Sequence, residues 1–550
     1  MTKSFVVLML ALSVAFAQNS PPAEATGSIG GTVLDAGSRA PIPGAAVLLL
    51  TNTRQVNGTT IVERFSKRIT VFTDAHGRYQ ASGLAAGQYP VSVSVNGASF
   101  SRVVTLGAGQ NLGSVDFHIS ATGVVSGKVI DQNQEPVPGI TVFLIGKEYQ
   151  AGVLRAFYKS TATTNDHGEY RLERAEPGRA YLVRAERLER VIPAMSEVPA
   201  DAKLRRPFLA PTYYPSAAAM AGTTPVVLHA GERREGVDIR MVKSASYCID
   251  GTVEWEGGPG PLRFWIDGQH AVSGPGAPAY YPTGVAGLNG QIRICDLAAG
   301  EYKVSAEQGP TATMSAFPIF GAADVTIAND DSGVRVVAHR TRPLTGQVVW
   351  ATPAGKPETA QLRISLDPMT PSIVGQTFAA SPASIPGAFY FPNVFGADYA
   401  VRPTFNAPGL YVKEITYNGA SILHEPMRLR SAPGDAGLRV TVARDGGTLR
   451  AAVTGEDGKA AGDAWVAVVP ASASQAAMAA TLVFGEIDQD GVYIAGSLPP
   501  GKYHVLASGA PLDTSPETIA SLWRARPKAK LVEIVPGGTA EVKLEPVDIW

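Results

Sequence analysis

The chain of 550 residues carries few of the side-chain patterns that do chemistry at a protein site. Among its eight histidines, only His229 has a carboxylate at the spacing of a zinc-ligand pair, Glu232. The motifs His-Glu-x-x-His and Gly-x-Ser-x-Gly and the phosphate-binding Gly-Lys-Ser/Thr loop do not occur. The sequence therefore predicts no catalytic residue, no metal site and no cofactor, and we expect that the protein is not an enzyme.

Two acidic clusters have the composition of a calcium-binding loop. One begins at Asp488 and includes Asp490, and the other is Asn329-Asp330-Asp331. Calcium loops of this kind also need a glutamate further along the chain, and neither cluster continues into one at that spacing. We expect these residues to form ordinary turns.

The two cysteines, Cys248 and Cys295, are 47 residues apart in segments that have the composition of strands. In an oxidising compartment the leading interpretation is a disulfide, and the alternative is a pair of buried free thiols. A bridge over a loop of this length would stabilise its domain by roughly 4 kcal/mol if the effect is entropic.

Clusters of aromatic residues are the best indication of a binding site, because flat sugar faces stack on exposed rings. Two clusters are similar, each with paired tyrosines beside proline, and two tryptophans lie near the second. The candidate ligand-binding residues are Tyr213, Tyr214, Trp255, Trp265, Tyr280 and Tyr281. The alternative, which we favour, is that these rings anchor long loops onto the domains.

The elements that must position these residues are short strands. The chain has 58 glycines and 41 prolines, and many short runs of Val, Thr, Ile and Tyr lie between them, which is typical of all-β proteins. One helix is expected, from the capping residues Ser515 and Pro516 to about Pro527, covering a sheet of the last domain.

Five copies of one unit follow each other along the chain. The first opens with Gly31-Thr32-Val33, and the second opens in the same way at Gly127. In each copy a closing tyrosine follows a turn glycine after 12 residues, or after 13 in the second copy. These pairs are Gly77 and Tyr89, Gly168 and Tyr181, Gly290 and Tyr302, Gly387 and Tyr399, and Gly491 and Tyr503. Tyrosines about one hundred residues apart indicate that each copy is a whole domain.

The repeated motifs have a structural explanation. In Asp-x-x-Gly before an aromatic residue, the carboxylate caps backbone N–H groups and glycine supplies a positive φ. Each closing tyrosine is expected to bury its ring and to bond its hydroxyl to the backbone. A second match, between Leu106–Asp116 and Leu228–Asp238, is interpreted as the hairpin that ends the domain.

The predicted fold class is all-β, with tandem immunoglobulin-like β-sandwich domains. The segment from Arg184 to Leu228 is an elaborated loop, and Tyr411 to Ala443 could belong to either the fourth or the fifth domain. The predicted boundaries are a signal peptide at 1–17, then domains at 18–122, 123–243 with the long loop, 244–340 with the disulfide, 341–444, and 445–550 with the helix.

The N-terminus indicates export. Lys3, the apolar run from Phe5 to Phe16 and the small residues before Gln18 form a signal-peptide pattern, with cleavage expected after Ala17. No later stretch is apolar for the roughly 18 residues that a membrane span needs. The formal net charge of −1 and the scattered charges give no surface for nucleic acid. We expect a secreted, periplasmic or cell-envelope protein.

The pattern Gly-x-Val-x-Asp, Pro-Gly, Asp-x-x-Gly-x-Tyr and Gly-x-Tyr resembles the carboxypeptidase regulatory-like domain, most clearly in residues 28–120 and 123–184. This resemblance implies a transthyretin-like, carbohydrate-binding-like sandwich that serves as an accessory module. The expected function is a non-enzymatic structural or binding protein whose partner is a carbohydrate or a cell-envelope protein. The alternatives are an accessory subunit of a peptidase-like envelope enzyme or of an outer-membrane transporter.

Overall fold

The computed structural model describes residues 26–549 in part. Gaps in this description lie at 36–39, 52–53, 57–58, 62–66, 96–97, 114, 120–121, 151, 188–206, 256–261, 269–282, 287–288, 308–318, 331–332, 353–357, 370–377, 380–382, 406, 408, 430–436, 456–457, 459–460, 462–463 and 489. The expected signal peptide lies outside the described residues. The chain divides into two compact units, one made of residues 1–33, 41–93 and 100–115 and the other of residues 34–40, 94–99 and 116–550.

The first unit contains the first sandwich. Its strands are β1 Gly27–Asp35, β2 Ala46–Thr51, β3 Arg54–Val56, β4 Thr59–Ile61, β5 Lys67–Phe72, β6 Arg78–Leu84, β7 Gly87–Val95, β8 Ala98–Leu106 and β9 Asn111–Leu112. One sheet joins β1 with β6 and β9, and the other has the order β5-β2-β7-β8. The alternation of β7 buries Val91 and Val93 completely, as a strand with one core face requires.

The second unit includes β10 Phe117–Ile119 and the second sandwich. The strands of that sandwich are β11 Gly123–Ile130, β12 Thr141–Gln150, β13 Val153–Thr163, β14 Glu169–Ala175, β15 Ala180–Glu186, β16 Phe208–Leu209, β17 Thr212–Tyr213, β18 Val226–Val227, β19 Arg233–Arg234, β20 Ile239–Arg240 and β21 Lys243–Ser244, with a 3-10 turn at Met220–Gly222. The described part of the expected long loop therefore extends a sheet, because β17 and β18 both pair with β15.

The third sandwich differs from the others in having one continuous sheet, in the order β24-β23-β26-β27-β28-β22-β25. The hairpin of β27 and β28 joins its two halves, and both halves contribute to one core. The strands are β22 Tyr247–Trp255, β23 Arg263–Gly268, β24 Thr283–Val285, β25 Gln291–Leu297, β26 Gly300–Glu307, β27 Ile319–Ile327 and β28 Gly333–Arg340.

The fourth sandwich includes the segment from Tyr411 to Ala443 that the sequence left unassigned. Its strands β35 and β38 extend the sheet that starts at β29, in the order β33-β29-β38-β35-β36. The strands are β29 Arg342–Trp350, β30 Glu358–Pro368, β31 Phe378–Ala379, β32 Ala383–Ile385, β33 Gly387–Val394, β34 Asp398–Phe405, β35 Tyr411–Tyr417, β36 Ala420–Ser421, β37 Met427–Arg428 and β38 Leu438–Ala443. The second sheet has the order β31-β30-β34-β37, with β32 beside β30.

The fifth sandwich carries a helical layer on one sheet. Ser515 caps the helix expected there, and that helix buries Ile519 and Leu522. A second helix, which the sequence did not predict, is capped by Ser474. The elements are β39 Gly447–Val453, β40 Trp465–Pro470, α1 Gln475–Thr481, β41 Val483–Glu486, β42 Val492–Leu498, β43 Gly501–Ser508, α2 Pro516–Ala525, β44 Lys530–Ile534, β45 Thr539–Leu544 and β46 Pro546–Val547, with a 3-10 turn at Arg526–Lys528.

A parallel pairing closes every sandwich. A late strand lies beside the first strand, as in β1 with β9, β11 with β19, β22 with β28, β29 with β38 and β39 with β45. The segment Leu106–Asp116 is therefore not a hairpin, and that prediction is wrong. Its strand β8 lies in one sheet, and β9 lies in the other as the parallel neighbour of β1. The segment Leu228–Asp238 makes the same change of sheet, from β18 to β19.

The close approach of that late segment explains the opening glycine of the first two copies. A Cβ atom at Gly31 would lie 2.1 Å from the carbonyl oxygen of Val115, and one at Gly127 would lie 2.2 Å from that of Val237. The tyrosine that follows the turn glycine donates its hydroxyl to the same carbonyl, from Tyr79 at 2.6 Å in the first copy. Glycine and tyrosine thus form one structural motif.

Candidate functional site

The residues considered for metal binding form backbone turns. Glu232 accepts a hydrogen bond from the backbone N–H of His229 at 2.8 Å and forms an ion pair with Arg234. The hydrogen bond from His229 is the main reason that the pKa of Glu232 is lowered. Asp488 accepts from the N–H groups of Asp490 and Val492 at 3.0 and 2.8 Å. In the described parts of the chain, no group of three His, Cys, Asp or Glu side chains has an arrangement that could hold a metal ion.

The turn and tyrosine motifs act as expected, with one correction. In the first copy Asp74 caps the N–H groups of His76 and Arg78. In the second copy the capping side chain is Asn165, which bonds the N–H groups of His167 and Glu169, and not the neighbouring Asp166.

The closing tyrosines also confirm their predicted role. In four of them the tyrosine hydroxyl donates to the backbone carbonyl four residues earlier; these are Tyr89, Tyr302, Tyr399 and Tyr503. In the second copy, the hydroxyl of Tyr181 instead accepts from the backbone N–H of Glu176. These polar groups are engaged in holding the fold.

A disulfide joins Cys248 and Cys295 in the third sandwich. The two cysteines lie on β22 and β25, which are antiparallel neighbours, with Ile249 opposite Ile294. The bridge therefore ties the edge strand of the seven-stranded sheet to its neighbour. The backbone N–H of Cys248 also donates to Asp330 of the second acidic cluster at 2.9 Å.

Tyr213 does not form an exposed binding platform, because its side chain is fully buried. It packs on the face of the β12–β15 sheet that points away from the core, in a cluster with Phe143, Tyr158 and Leu182. The guanidinium of Arg184 lies 5.1 Å from the ring centre of Phe143 and 6.0 Å from that of Tyr213. This geometry agrees with the alternative interpretation, in which Tyr213 anchors a long segment onto the sandwich.

Charge pairing compensates for the burial of Arg184. Its side chain is 3% exposed and pairs with Glu186 at 2.5 Å. It also donates to the hydroxyl of Tyr158 at 3.0 Å. Burial raises the pKa of Tyr158 to about 12, although Arg184 opposes this shift. The charge of this buried cation is compensated within the protein by a carboxylate and by aromatic rings, so we interpret this cluster as structural.

The remaining aromatic candidates are scattered over different surfaces. Tyr214 is half-buried and packs beside the core of the second sandwich. Trp255 stacks with the guanidinium of Arg340, 5.4 Å from its ring centre. Trp265 contacts Phe320 and belongs to the edge of the fourth sandwich's core. Tyr280 and Tyr281 lie outside the described residues, and their role stays a prediction. The structure therefore does not bring the described candidates together.

An open cavity of the described structure lies on the outer face of the fourth sandwich, which the sequence analysis did not single out. It has a volume of about 590 Å³ and is lined by residues of β33, β29 and the start of β38. Tyr390, which is 51% exposed, stands directly opposite Thr345. Two residues further along, Gln347 lies between Ala388 and Arg439. The alternation of β33, with Phe389 and Phe391 buried on either side of Tyr390, could have identified this outward ring.

Small residues make room for this cavity. Ala388 is the outward neighbour of Tyr390 along β33, and Gly437 precedes β38. The result is a cleft walled by Tyr390 and Arg439, with Thr345 and Gln347 on the strand between them. We call these four residues the β29 cleft.

A polar network fixes the second sandwich to the fifth. The guanidinium of Arg179 pairs with Glu148 at 2.9 Å, with Glu176 at 2.7 Å and with Asp513. Its side chain is 14% exposed. Burial lowers the pKa of Arg179, but Asp513, Glu176 and Glu148 outweigh that effect and raise it above its ordinary value. Desolvated ion pairs of this kind are screened by salt much less than surface pairs.

Backbone and apolar contacts reinforce this network. The N–H of Tyr149 donates to the carbonyl of Thr514 at 2.8 Å, and the Tyr149 ring packs into the helical layer of the fifth sandwich. On the neighbouring strand, Arg155 donates to the carbonyl of Pro368 in the fourth sandwich at 2.7 Å. The β12–β13 hairpin therefore contacts two sandwiches that are distant in sequence.

None of the described helices is long and apolar enough to cross a bilayer.

Comparison with known proteins identifies part of the chain. Residues 28–120 match the family model of the carboxypeptidase regulatory-like domain. No curated protein sequence matches the chain. The resemblance derived from the repeated motifs is therefore confirmed for the first sandwich.

Several solved structures of pilins align with the chain at low identity. The Streptococcal ancillary pilin is 12% identical, with coverage of 57% of this chain and 99% of that one, and a TM-score of 0.19. The minor pilin GBS52 of Streptococcus agalactiae is 13% identical, with coverages of 40% and 96% and a TM-score of 0.22. The major pilin subunit BcpA of Bacillus cereus is 12% identical, with coverages of 57% and 99% and a TM-score of 0.14. At these TM-scores the alignments define no common domain arrangement, and the fold class rests on the sheets described above.

Proposed function

Since residues 28–120 belong to the carboxypeptidase regulatory-like family, we propose that this domain and the sandwiches after it form an exported, non-enzymatic structural and binding protein. The domain boundaries expected from the repeat, at 122, 243, 340 and 444, are part of this proposal. The expected place of action is the cell envelope or the extracellular space, reached after removal of residues 1–17.

The observation that carries this proposal is the contact of the β12–β13 hairpin with the fourth and fifth sandwiches. Arg179 engages three carboxylates there, and Arg155 and Tyr149 add hydrogen bonds to backbone carbonyls. Flexibly linked domains would need none of these contacts. A scaffold that must hold a binding surface in a fixed orientation does need them.

The partner we propose is a carbohydrate or another protein of the cell envelope. The support is the open β29 cleft, which exposes an aromatic ring and polar side chains on a rigid sheet. Rigid sheet faces suit recognition, because the binding groups lose little freedom when a ligand arrives.

Cell fractionation tests the location and the role together. We expect the chain, produced with its own N-terminus, to be recovered outside the cytoplasm beginning at Gln18, and to sediment with isolated cell envelopes in a saturable way. Recovery in the cytoplasm with Met1 intact, or no sedimentation at any concentration, would contradict the proposal. Co-purification of a peptidase or a transporter at fixed stoichiometry would instead favour an accessory subunit.

A further inference from the structure

The β29 cleft, as defined by Tyr390, Thr345, Gln347 and Arg439, has the size and chemistry of a ligand site. Its volume of about 590 Å³ lies within the roughly 300–1,000 Å³ that is usual for small-molecule sites. Its four side chains point outward, because each is adjacent along its strand to a residue that lies in the core. These core residues are Leu344, Val348, Phe389 and Leu438. The sandwich core therefore holds the binding groups in place from below.

The register of the strands sets the spacing of these groups. Tyr390 is opposite Thr345, and Arg439 is opposite Gln347, two residues further along the same central strand. Neighbouring strands are about 4.8 Å apart and alternate residues about 6.8 Å apart, so the Cα atoms of Tyr390 and Arg439 are separated by roughly 12 Å. Two long side chains at that distance can contact opposite ends of one sugar ring.

The chemistry of the lining selects the ligand class. A half-exposed tyrosine ring offers a flat face, on which the C–H face of a pyranose stacks. Thr345 and Gln347 supply donors and acceptors for hydroxyl groups. Arg439 is the only charged residue that lines the described cleft, and a guanidinium binds a carboxylate through two parallel hydrogen bonds.

We propose that the β29 cleft binds a carboxylated sugar, a uronic acid unit of an acidic polysaccharide, with Tyr390 under the ring, Arg439 on the carboxylate, and Thr345 and Gln347 on the hydroxyls. This inference rests on the proposed binding function and names its ligand class.

Calorimetric titration of the purified full chain with tetragalacturonate tests the site. We expect saturable binding that weakens at higher ionic strength, because a charge pair contributes to it. Tyr390→Ala and Arg439→Gln should each weaken binding at least tenfold. Galactotetraose, which has no carboxylate, should bind the native chain about as weakly as tetragalacturonate binds the Arg439→Gln variant.

Two control variants separate the site from general effects. Arg363→Gln removes an exposed arginine from β30, in the other sheet of the same sandwich, and Phe72→Ala removes an exposed ring from the first sandwich. Both should bind tetragalacturonate like the native chain, and all four variants should show native thermal unfolding. Absence of saturable binding, or equal weakening by Arg363→Gln and Arg439→Gln, would overturn the site. Envelope sedimentation with no binding of tetragalacturonate would overturn this inference alone and leave the proposed function intact.

Discussion

At the scale of single residues, the motifs shared by the first two copies are explained by one crowded point in each of these two sandwiches. The late segment of the first sandwich passes so close to β1 that only glycine fits at position 31, and the carbonyl of Val115 accepts the hydroxyl of Tyr79 there. In the second sandwich Gly127, Tyr170 and Val237 repeat this arrangement. A motif that looks like a chemical signature in the sequence is thus a packing requirement.

The substitution Gly31→Ala tests this explanation. The added methyl group would overlap the carbonyl of Val115, so we expect the first sandwich to lose at least about 2 kcal/mol of unfolding free energy. Hydrogen exchange resolved by peptide should show faster exchange in β1 and β6 and no change in the fifth sandwich. Gly113→Ala is the matched control, because a Cβ there meets no atom within 4 Å. Equal protection in both variants would contradict the explanation.

Buried tyrosines make stability depend on alkaline pH. Burial raises the pKa of Tyr158, Tyr302 and Tyr503 to about 12, above the ordinary tyrosine pKa of 10.0. The folded state therefore favours the neutral phenols, so their contribution is fully present below pH 10 and is lost as the pH rises toward 12. Ultraviolet titration should show a late group of tyrosinates that forms as the chain unfolds. Ionisation of every tyrosine in one step near pH 10 would be incompatible with this burial.

At the scale of elements, several strands depart from the simple alternation of a half-buried sheet. In β12, Val142 and Leu144 point into the core of the second sandwich, while Phe143 and Ile145 pack into the cluster around Arg184. In β40, Val466 and Val468 face the core and Val469 faces the helical layer. A continuous apolar run indicates that both faces of a strand are covered.

The disulfide stabilises the third sandwich alone. Replacing both cysteines by alanine should lower the unfolding free energy of that sandwich by about 2–4 kcal/mol. The second and fifth sandwiches have their own cores, so their hydrogen exchange should stay unchanged. Mild reduction of the native chain should give the same pattern. Uniform destabilisation of all the sandwiches would show that the bridge acts beyond its own sheet.

At the scale of the whole second unit, contacts between sandwiches that are distant in sequence matter more than the order of the domains. Asp513 reaches Arg179 from the loop before α2, and the same loop provides the carbonyl that accepts from Tyr149. These contacts bury an arginine that would otherwise lie on the surface of the second sandwich. The helical layer of the fifth sandwich is thereby part of an interface as well as a cover for its own sheet.

Arg179→Gln should separate this interface. The change leaves Glu148, Glu176 and Asp513 close together without a guanidinium, and removal of one partner from a buried ion pair costs about 3–5 kcal/mol. We expect faster hydrogen exchange at Tyr149 and in α2, and proteolysis between the fourth and fifth sandwiches. Arg171→Gln, which breaks the exposed pair with Glu173, is the control and should leave both unchanged. Equal behaviour of the two variants would argue against a fixed interface.

The sequence by itself determined the all-β class, the repeated unit, the roles of the closing tyrosines, the capped helix at Ser515 and the pairing of Cys248 with Cys295. Each of these depends on local spacing, on residue type or on there being only two cysteines, so no knowledge of distant contacts was needed. The parallel closing strand, the burial of Tyr213, the β29 cleft and the Arg179 network were decided by the tertiary structure. They depend on which distant segments come together, and the packing free energy that brings them together is spread over many side chains with no local signature.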